Sequence, residues 1–411
     1  MKRNLIALLT AIIVGLVLLS SPGAAAQQPG LDRRELRQSL NAVHEAGMYG
    51  TYSHVTDGRQ SWKGAAGVAD VETRRPVRPD MRHRIGSVTK TFTATAVLRQ
   101  VGRGAIELDA PIGRYLPDLV PGELGQRITV RMLLNHTSHL ADYDSLIYTS
   151  IQSFEDNRFR TYRPRELVDM ALGAPATGQP GVLPGSYSNT NYIIAGLLLE
   201  KVTGVSAERA ITDQVIRKAG LRHTSFPRTP VIPGPHSKAY LSLYGLIDPP
   251  KDFSVYDNSA PWTAGGLVST MEDVNRFYRA LLRGELLDAG LLAEMRKVVP
   301  VAPGAGVTDT FDYGLGIYPV DLPCGRFWGH SGGVIGMLTE AYTGPDGERQ
   351  VSIGFNLVGY QRLDENGNIL PSPIDEAILR HIELAACGTA GLSMTEAKRP
   401  FAFDRIQIPR R

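Results

Sequence analysis

The chain has 411 residues, of which 43% are hydrophobic and 21% are charged, and this composition excludes a disordered or fibrous protein. The length suits one large domain or two closely packed ones. The 44 lysines and arginines nearly balance the 41 acidic residues, so net charge gives no reason to expect nucleic acid or an anionic membrane as a partner.

The first 26 residues have the pattern of a secretory signal peptide. Two basic residues precede an apolar run over residues 5–19, and three alanines ending at Ala26 offer a cleavage site before Gln27. Fifteen apolar residues are fewer than the ~20 that span a bilayer, so a membrane anchor is the less favoured alternative. We therefore expect a secreted, extracellular protein without a membrane anchor.

The next part of the chain begins with a helix and a hairpin. Apolar residues at helical spacing predict a helix over residues 31–46. Two alternating stretches, residues 48–55 and 60–68, flank an Asp-Gly pair at 57–58 and predict a β-hairpin.

The middle of the chain, from residue 87 to about 290, is mainly helical. Two strong helices are predicted at residues 89–101 and 192–202, and a glycine follows each of them.

Strand patterns return in the last part of the chain, before a closing helix over residues 374–386. The predicted strands cover residues 313–320, 326–330, 338–343 and 350–357. Strands at both ends around a helical middle predict an α/β (α+β) fold, with one sheet built from both termini and an inserted helical domain.

Ser87 and Lys90 are the first candidates for catalysis. A serine hydroxyl needs a base, and residues three apart at the start of a helix share a face, so Lys90 can reach the Ser87 hydroxyl. Burial and a neighbouring cation lower the pKa of a lysine, which allows it to act as that base. The alternative is an N-cap serine followed by a solvated lysine.

Tyr187 and Asn189 form the second candidate. A tyrosine beside cationic groups can relay a proton to a leaving group, and an asparagine offers an amide to a peptide-like substrate. Tyr256 and Asn258 have the same spacing, but a strong helix follows only the first pair, and we therefore favour Tyr187.

The third candidate is the segment 329–333, Gly-His-Ser-Gly-Gly. It matches the nucleophile elbow of α/β-hydrolases, with Ser331 as nucleophile. It also matches the end of an edge strand whose glycines let a substrate backbone lie close. Because strand pattern follows instead of a helix, we favour the strand interpretation.

Two further groups of residues have weaker patterns. His136 and His139 are followed by Asp142 and Asp144, and this spacing suits a polar loop as well as it suits a metal site. We predict that no metal binds there. The two cysteines, Cys324 and Cys387, are expected to pair in an oxidising compartment, with two buried free thiols as the alternative.

The order Ser87-x-x-Lys90, Tyr187-x-Asn189, His330-x-Gly332 resembles that of the serine β-lactamase and penicillin-binding family. The phrases that also resemble family signatures lie at residues 85–90, 133–138, 186–191 and 264–270, and the likeness covers residues 31–388. Within the family, the chain is most similar to class C β-lactamases and, above all, to secreted soluble D-alanyl-D-alanine carboxypeptidases.

The resemblance implies an antiparallel sheet flanked by helices with an all-helical domain, and an acyl-enzyme mechanism that uses no cofactor. Ser87 would attack the substrate carbonyl carbon and Lys90 would assist its deprotonation. Tyr187 would protonate the leaving group, and His330 would tune the electrostatics of the Lys90–Tyr187 pair.

The resemblance also implies the residues that bind substrate. Asn189 would bind the substrate amide, Ser331 would supply a hydroxyl, and the N–H of Gly333 would complete an oxyanion hole with that of Ser87. It places a disulfide on the two cysteines. The implied partners are a peptidoglycan stem peptide and β-lactams as covalent ligands, and we expect a monomer.

The implied domains are a catalytic domain over residues 27–390 and a basic tail over 391–411. The catalytic domain would divide into a sheet subdomain, about residues 31–86 and 290–390, and a helical subdomain, about residues 87–289.

Three positions depart from the carboxypeptidase pattern. Tyr318 lies in a stretch where these enzymes carry an arginine for the substrate carboxylate, Gly333 lacks the usual hydroxyl, and His139 replaces a glycine. A substrate without a free carboxylate, such as an ester, an internal amide or a D-amino acid amide, is therefore plausible, unless Arg84 or Arg362 supplies the cation. The motifs are equally compatible with a β-lactamase and with a β-lactam-binding protein that does not turn over.

Overall fold

The computed structural model describes residues 30–389. The predicted signal peptide, its cleavage site and the basic tail lie outside these residues. Within them, no helix is both long enough and apolar enough to cross a membrane.

The described chain contains fifteen strands and thirteen α-helices, with one 3₁₀ turn at Ile112–Arg114 and one π turn at Thr212–Ile216. The strands are β1 Gly50–Asp57, β2 Gln60–Asp70, β3 Arg75–Pro76, β4 His83–Arg84, β5 Gly185–Ser186, β6 Tyr240–Leu241, β7 Lys251–Asp252, β8 Val268–Ser269, β9 Val299–Ala302, β10 Phe311–Tyr313, β11 Tyr318–Leu322, β12 Gly325–Val334, β13 Met337–Thr343, β14 Arg349–Phe355 and β15 Leu357–Val358. The helices are α1 Arg33–Glu45, α2 Val88–Gly102, α3 Gly122–Arg127, α4 Val130–Leu134, α5 Asp144–Ile147, α6 Ile151–Asp156, α7 Pro164–Gly173, α8 Thr190–Thr203, α9 Ala207–Ile211, α10 Trp262–Gly265, α11 Met271–Leu282, α12 Ala289–Met295 and α13 Pro373–Cys387.

Seven strands form one antiparallel sheet in the order β11-β12-β13-β14-β1-β2-β3. The N-terminal strands β1–β3 join the C-terminal strands where β1 pairs with β14. The predicted fold, a sheet built from both ends of the chain and flanked by helices, is confirmed. The division into two subdomains stays a prediction.

Strand β1 shows why both faces of the sheet are buried. Side chains alternate along a strand, so its odd and even positions face different helices. The Ser53 hydroxyl forms a hydrogen bond with His381 of α13 at 3.0 Å. On the other face, the His54 ring accepts a hydrogen bond from the Asn275 amide of α11 at 3.1 Å. Helices therefore cover the sheet on both sides, and nearly the whole of β1 is buried.

The predicted strand over residues 313–320 is wrong in one respect, because the structure divides it into β10 and β11. Gly314 to Ile317 turn between the two strands, and Gly316 has a φ of +76°. Strand β12 continues to Val334, beyond the predicted end at residue 330. Helix α2, which is buried along almost its whole length, packs against β12, and the site described next lies at this contact.

Candidate active site

Ser87 lies at the N-terminus of α2, in a turn that two glycines make possible. Gly86 has a φ of +52°, which a side chain disfavours. A Cβ on Gly332 would lie 2.0 Å from the Ile85 carbonyl oxygen and 2.9 Å from the Ser87 nitrogen. The turn and strand β12 therefore touch through their backbones. The Ser87 side chain makes no capping bond with the helix, which leaves its hydroxyl available to Lys90.

Lys90 lies one helical turn after Ser87 and is completely buried. Its Nζ donates to Ser87 Oγ at 2.9 Å, to Asn189 Oδ1 at 2.6 Å and to the Ala264 carbonyl oxygen at 3.0 Å. Burial lowers the pKa of Lys90 to about 7, although two nearby aspartates oppose this shift. A neutral Lys90 is thus populated near pH 7 and can take a proton from Ser87.

Tyr187 and Asn189 are held by the loop before α8. The Tyr187 N–H donates to the Ala302 carbonyl oxygen at 3.0 Å, and the Ser188 hydroxyl donates to the Ala141 carbonyl oxygen at 3.1 Å. Asn189 is the N-cap of α8, but its side chain does not cap that helix. Its amide oxygen faces Lys90 instead.

The Tyr187 ring lies close to both Lys90 and His136. Lys90 Nζ is 4.8 Å from the centroid of this ring, and the His136 ring centroid is 4.1 Å from it. Burial raises the pKa of Tyr187 well above its usual value, and the interaction with the Ser87 side chain opposes this rise. A protonated phenol beside Ser87 and Lys90 is able to pass a proton between them and a leaving group.

His330 is a neutral histidine behind the tyrosine. Burial first, and the Lys90 charge second, lower the pKa of His330 to about 3. The Ser331 carbonyl oxygen can only accept, so His330 Nδ1 donates to it and Nε2 accepts from the Tyr313 hydroxyl at 2.8 Å. At neutral pH His330 therefore adds no positive charge beside Lys90.

Ser331 and Gly333 have different surroundings despite their similar position on β12. Successive N–H groups of a strand alternate between its two edges, so those of Ser331 and Gly333 point to the same edge. The Ser331 N–H donates to the Tyr318 hydroxyl at 2.8 Å. The Gly333 backbone lies against the turn that carries Ser87. A Cβ built on Gly86 would be only 2.8 Å from the Gly333 nitrogen.

A cavity of about 190 Å³ opens beside these groups. Ser331 is 3% exposed and, like His330, does not border the cavity. The structure thus brings most of the candidate residues to the cavity wall and leaves Ser331 behind it. The residues that border the cavity are Ser87, Asp142, Tyr143, Asp144, Ser145, Tyr148, Phe154, Tyr187, Asn189, Tyr256, Pro261, Gly265, Pro303, Gly333, Val334, Ile335, Leu338 and Val358.

Asp142 and Asp144 are site residues that sequence reasoning considered only as metal ligands. The Asn189 amide nitrogen donates to Asp144 at 2.8 Å and to Asp142 at 3.1 Å. Burial raises the pKa of both carboxyl groups, and each aspartate is influenced by the Lys90 charge, which lowers its pKa. The available signal was that the two aspartates lie two residues apart, shortly after His136 and His139. It does not by itself indicate that they line a cavity.

The remaining candidates make other contacts. Within the described chain, no cluster of three or more His, Cys, Asp or Glu side chains is arranged to hold a metal ion. His139 contacts the Val182 carbonyl oxygen at 2.8 Å. Strand β12 continues after Ser331 without a helix, so the nucleophile elbow does not form. Tyr256 borders the cavity, whereas Asn258 donates to the Gly266 carbonyl oxygen at 2.8 Å.

The predicted disulfide between Cys324 and Cys387 is present, with 5.3 Å between the Cα atoms. It joins the turn between β11 and β12 to the end of α13. In the chain-entropy treatment, closing a loop of 63 residues stabilises the fold by about 4 kcal/mol.

Comparison with known proteins identifies similar chains of several activities. The sequence pattern of the family described as Beta-lactamase matches residues 34–365. Penicillin-binding protein 4* of Bacillus subtilis (strain 168) is 26% identical over 287 residues, which are 66% of this chain and 60% of that protein. Esterase EstB of Burkholderia gladioli is 31% identical over 209 residues, which are 48% of this chain and 53% of that protein. The chain therefore spans between half and two thirds of the length of these two curated relatives.

One solved structure is similar over nearly its whole length. The crystal structure of a D-stereospecific amidohydrolase from Streptomyces sp. aligns with a TM-score of 0.74 and 34% sequence identity. The alignment covers 87% of this chain and 99% of that one.

Proposed function

Because this chain belongs to the Beta-lactamase family of serine hydrolases, we propose that it hydrolyses amides or esters of D-amino acids that carry a free amino group. The reaction proceeds through an acyl-enzyme on Ser87. The observation that carries this proposal is the buried Lys90 amine, 2.9 Å from Ser87 Oγ and with a pKa lowered to about 7.

Acylation begins when neutral Lys90 takes the Ser87 proton as Oγ bonds to the substrate carbonyl carbon. The carbonyl oxygen becomes negative and is held by the N–H groups of Ser87 and Gly333, at roughly 3 kcal/mol for each donor. The bond from the carbonyl carbon to the leaving nitrogen or oxygen then breaks. The proton on Lys90 passes through the Tyr187 hydroxyl to that leaving atom.

Deacylation uses the same groups in reverse. A water oxygen attacks the ester carbonyl carbon while its proton moves to the Tyr187–Lys90 pair. The bond between that carbon and Ser87 Oγ breaks, Oγ regains the proton, and the free D-amino acid leaves.

The cavity chemistry argues against a substrate with a free carboxylate. Arg84 is completely buried and donates to the carbonyl oxygens of Ser254 and Pro230, and Arg362 lies 4.0 Å from Asp248. None of the described residues that border the cavity is basic. A carboxylate desolvated there would lack a cation, which costs several kcal/mol.

The same cavity suits an ammonium group. Asp142 and Asp144 present two carboxyl groups, and Asn189, which contacts both of them, also contacts Lys90. A substrate ammonium would supply a positive charge that favours ionisation of this pair, and it would donate to the resulting carboxylate. A charge-assisted bond contributes roughly 1.5–3 kcal/mol. This preference for an amine favours amino acid amides and esters over a carboxypeptidase substrate.

Part of the cavity wall is apolar. The rings of Tyr148 and Phe154 stack with their centroids 4.7 Å apart, and Leu338 and Val358 are buried beside them. This lining favours a large apolar side chain on the acyl residue, such as that of D-phenylalanine. The similarity to a D-stereospecific amidohydrolase supports the D configuration.

The nucleophile is tested by mass spectrometry of the protein with D-phenylalanine methyl ester. We expect covalent acylation of the wild type and of Ser331→Ala, and none of Ser87→Ala. Acylation of Ser87→Ala with loss in Ser331→Ala would overturn the assignment.

The amine site is tested with D-phenylalanine amide and its des-amino analogue, 3-phenylpropionamide. Asp142→Asn should raise KM for the amino substrate by about 10- to 150-fold relative to that for the analogue, the equivalent of one charge-assisted bond. Asp321→Asn is the matched control, because Asp321 pairs with Arg326 and lies outside the cavity. Equal effects of Asp142→Asn on both substrates would contradict amine recognition.

The D-alanyl-D-alanine carboxypeptidase activity implied by the resemblance stays a prediction, as do secretion and the monomeric state. The relative kcat/KM for a peptidyl-D-Ala-D-Ala acid and for its amide decides the activity. A preference for the acid above about 100-fold would require a carboxylate clamp and would refute the amine-directed proposal.

A further inference from the structure

The outer edge of β12 changes partner beside the site. Strand β11 pairs with β12 only as far as Tyr318 opposite Gly329, because the chain before Tyr318 turns away and the Gly316 N–H bonds to the Leu134 carbonyl oxygen. The Tyr318 hydroxyl then accepts the Ser331 N–H at 2.8 Å. The Tyr318 phenol thus takes the place of a paired strand beside Ser331. The outer edge of β12 stays open only from Gly333 onward.

This edge determines the direction in which a substrate lies. An extended substrate adds to a strand edge through its main chain, and its scissile carbonyl must reach the Gly333 N–H. The cavity that receives the acyl group borders Gly333, Val334 and Ile335. The leaving group must extend the other way along β12, toward Ser331.

Aromatic side chains fill the space in that direction. Tyr318 is 2% exposed, and its ring centroid lies 5.1 Å from that of His330 and 6.1 Å from that of Tyr313. Its hydroxyl is 3.4 Å from the Tyr342 hydroxyl, which in turn donates to Glu340. The Tyr318 phenol is therefore fixed by contacts with two rings and by hydrogen bonds to Ser331 and Tyr342.

We propose that Tyr318 closes the leaving-group end of the site and restricts the enzyme to small leaving groups, such as ammonia or a short alcohol. Tyr318 is then the residue that makes the protein an amidase and esterase of D-amino acids rather than a peptidase. This inference rests on the proposed function, and it adds the leaving-group class and the residue that determines it.

The test compares D-phenylalanine amide with its N-isobutyl amide, two substrates that differ only in the leaving amine. We expect the wild type to favour the primary amide by at least about 100-fold in kcat/KM, and Tyr318→Ala to reduce this preference at least about tenfold. Tyr318→Phe is the matched control: it keeps the ring and loses the hydroxyl, and its preference should stay within about threefold of the wild type.

A second measurement uses the unaltered protein, in case Tyr318→Ala does not fold. The acyl-enzyme formed from D-phenylalanine methyl ester is offered methylamine or isobutylamine. The amine nitrogen attacks the ester carbonyl carbon, the bond to Ser87 Oγ breaks, and a proton from the amine returns to Oγ. Since this step is the reverse of leaving-group departure, methylamine should give the N-methyl amide and isobutylamine should give almost none.

Three outcomes would contradict the inference. Similar wild-type rates for the two amides, equal trapping by the two amines, or an unchanged preference in folded Tyr318→Ala would each show that the end is open. These outcomes leave acylation of Ser87 intact, so they do not affect the proposed function. If the wild type hydrolyses neither amide, the proposed function fails and this inference fails with it.

Discussion

Replacing Gly332 by alanine is expected to disable the oxyanion hole while the fold persists. The added Cβ would lie 2.0 Å from the Ile85 carbonyl oxygen, where ordinary contact begins near 3.4 Å, so strand or turn must move by about 1.4 Å. Both neighbours are backbone, and no side chain can rotate away. The Gly333 N–H follows Gly332 on the same strand and moves with it away from Ser87.

The size of the effect follows from the loss of one preorganised donor. A misplacement of about 1 Å costs roughly 100-fold, and removal of one oxyanion donor costs roughly 100- to 1,000-fold in rate. We therefore expect acylation of Ser87 to slow by this factor, with a loss of about 1–3 kcal/mol in the free energy of unfolding from overpacking.

Stopped-flow measurement of acylation by a chromogenic ester, together with urea unfolding, tests this prediction. Gly173→Ala is the control, because a Cβ on Gly173 at the end of α7 meets no atom within 4 Å. A Gly332→Ala protein that is folded and acylates within about threefold of the wild type would show that this contact does not position the Gly333 N–H.

Two further predictions concern pH. Acylation by an uncharged ester should accelerate as pH rises through about 7, because burial lowers the pKa of Lys90 to about 7 and only neutral Lys90 accepts the Ser87 proton. The measurement is the acylation rate as a function of pH. A rate that does not change between pH 5 and pH 9 would argue against Lys90 as the base. Burial also lowers the pKa of His381 from 6.5 to about 3, so the unfolded chain binds more protons between these values and stability is lost as pH falls below 6.5. At pH 5 the free energy of unfolding is lower by about 2 kcal/mol for this reason. In urea unfolding, His381→Gln should reduce the difference in this free energy between pH 7.5 and pH 5 by that amount. An unchanged difference would mean that His381 is not buried in its neutral form.

Several features of the site depend on residues close in sequence, and these were predictable. Lys90 reaches Ser87 because residues three apart share one face at a helix start, and the structure has this contact at 2.9 Å. The interpretation of Ser331 as a strand residue was also local, since no helical pattern follows it. The hairpin of β1 and β2 needed only alternation and the turn between them.

Other features depend on segments far apart in the chain, whose meeting no local pattern indicates. Asp142 and Asp144 become cavity residues because the loop that carries them packs against Asn189. The split of the predicted strand 313–320 follows from the turn at Gly316, and it lets the Tyr318 hydroxyl reach the edge of β12. Side-chain periodicity determines which residues share a face of one element, but the packing of distant elements decides what each face meets. The sequence alone therefore determined the fold class and the pairing of Ser87 with Lys90. The acidic cavity wall at Asp142 and Asp144 and the contact of Tyr318 with the edge of β12 were decided only by the tertiary structure.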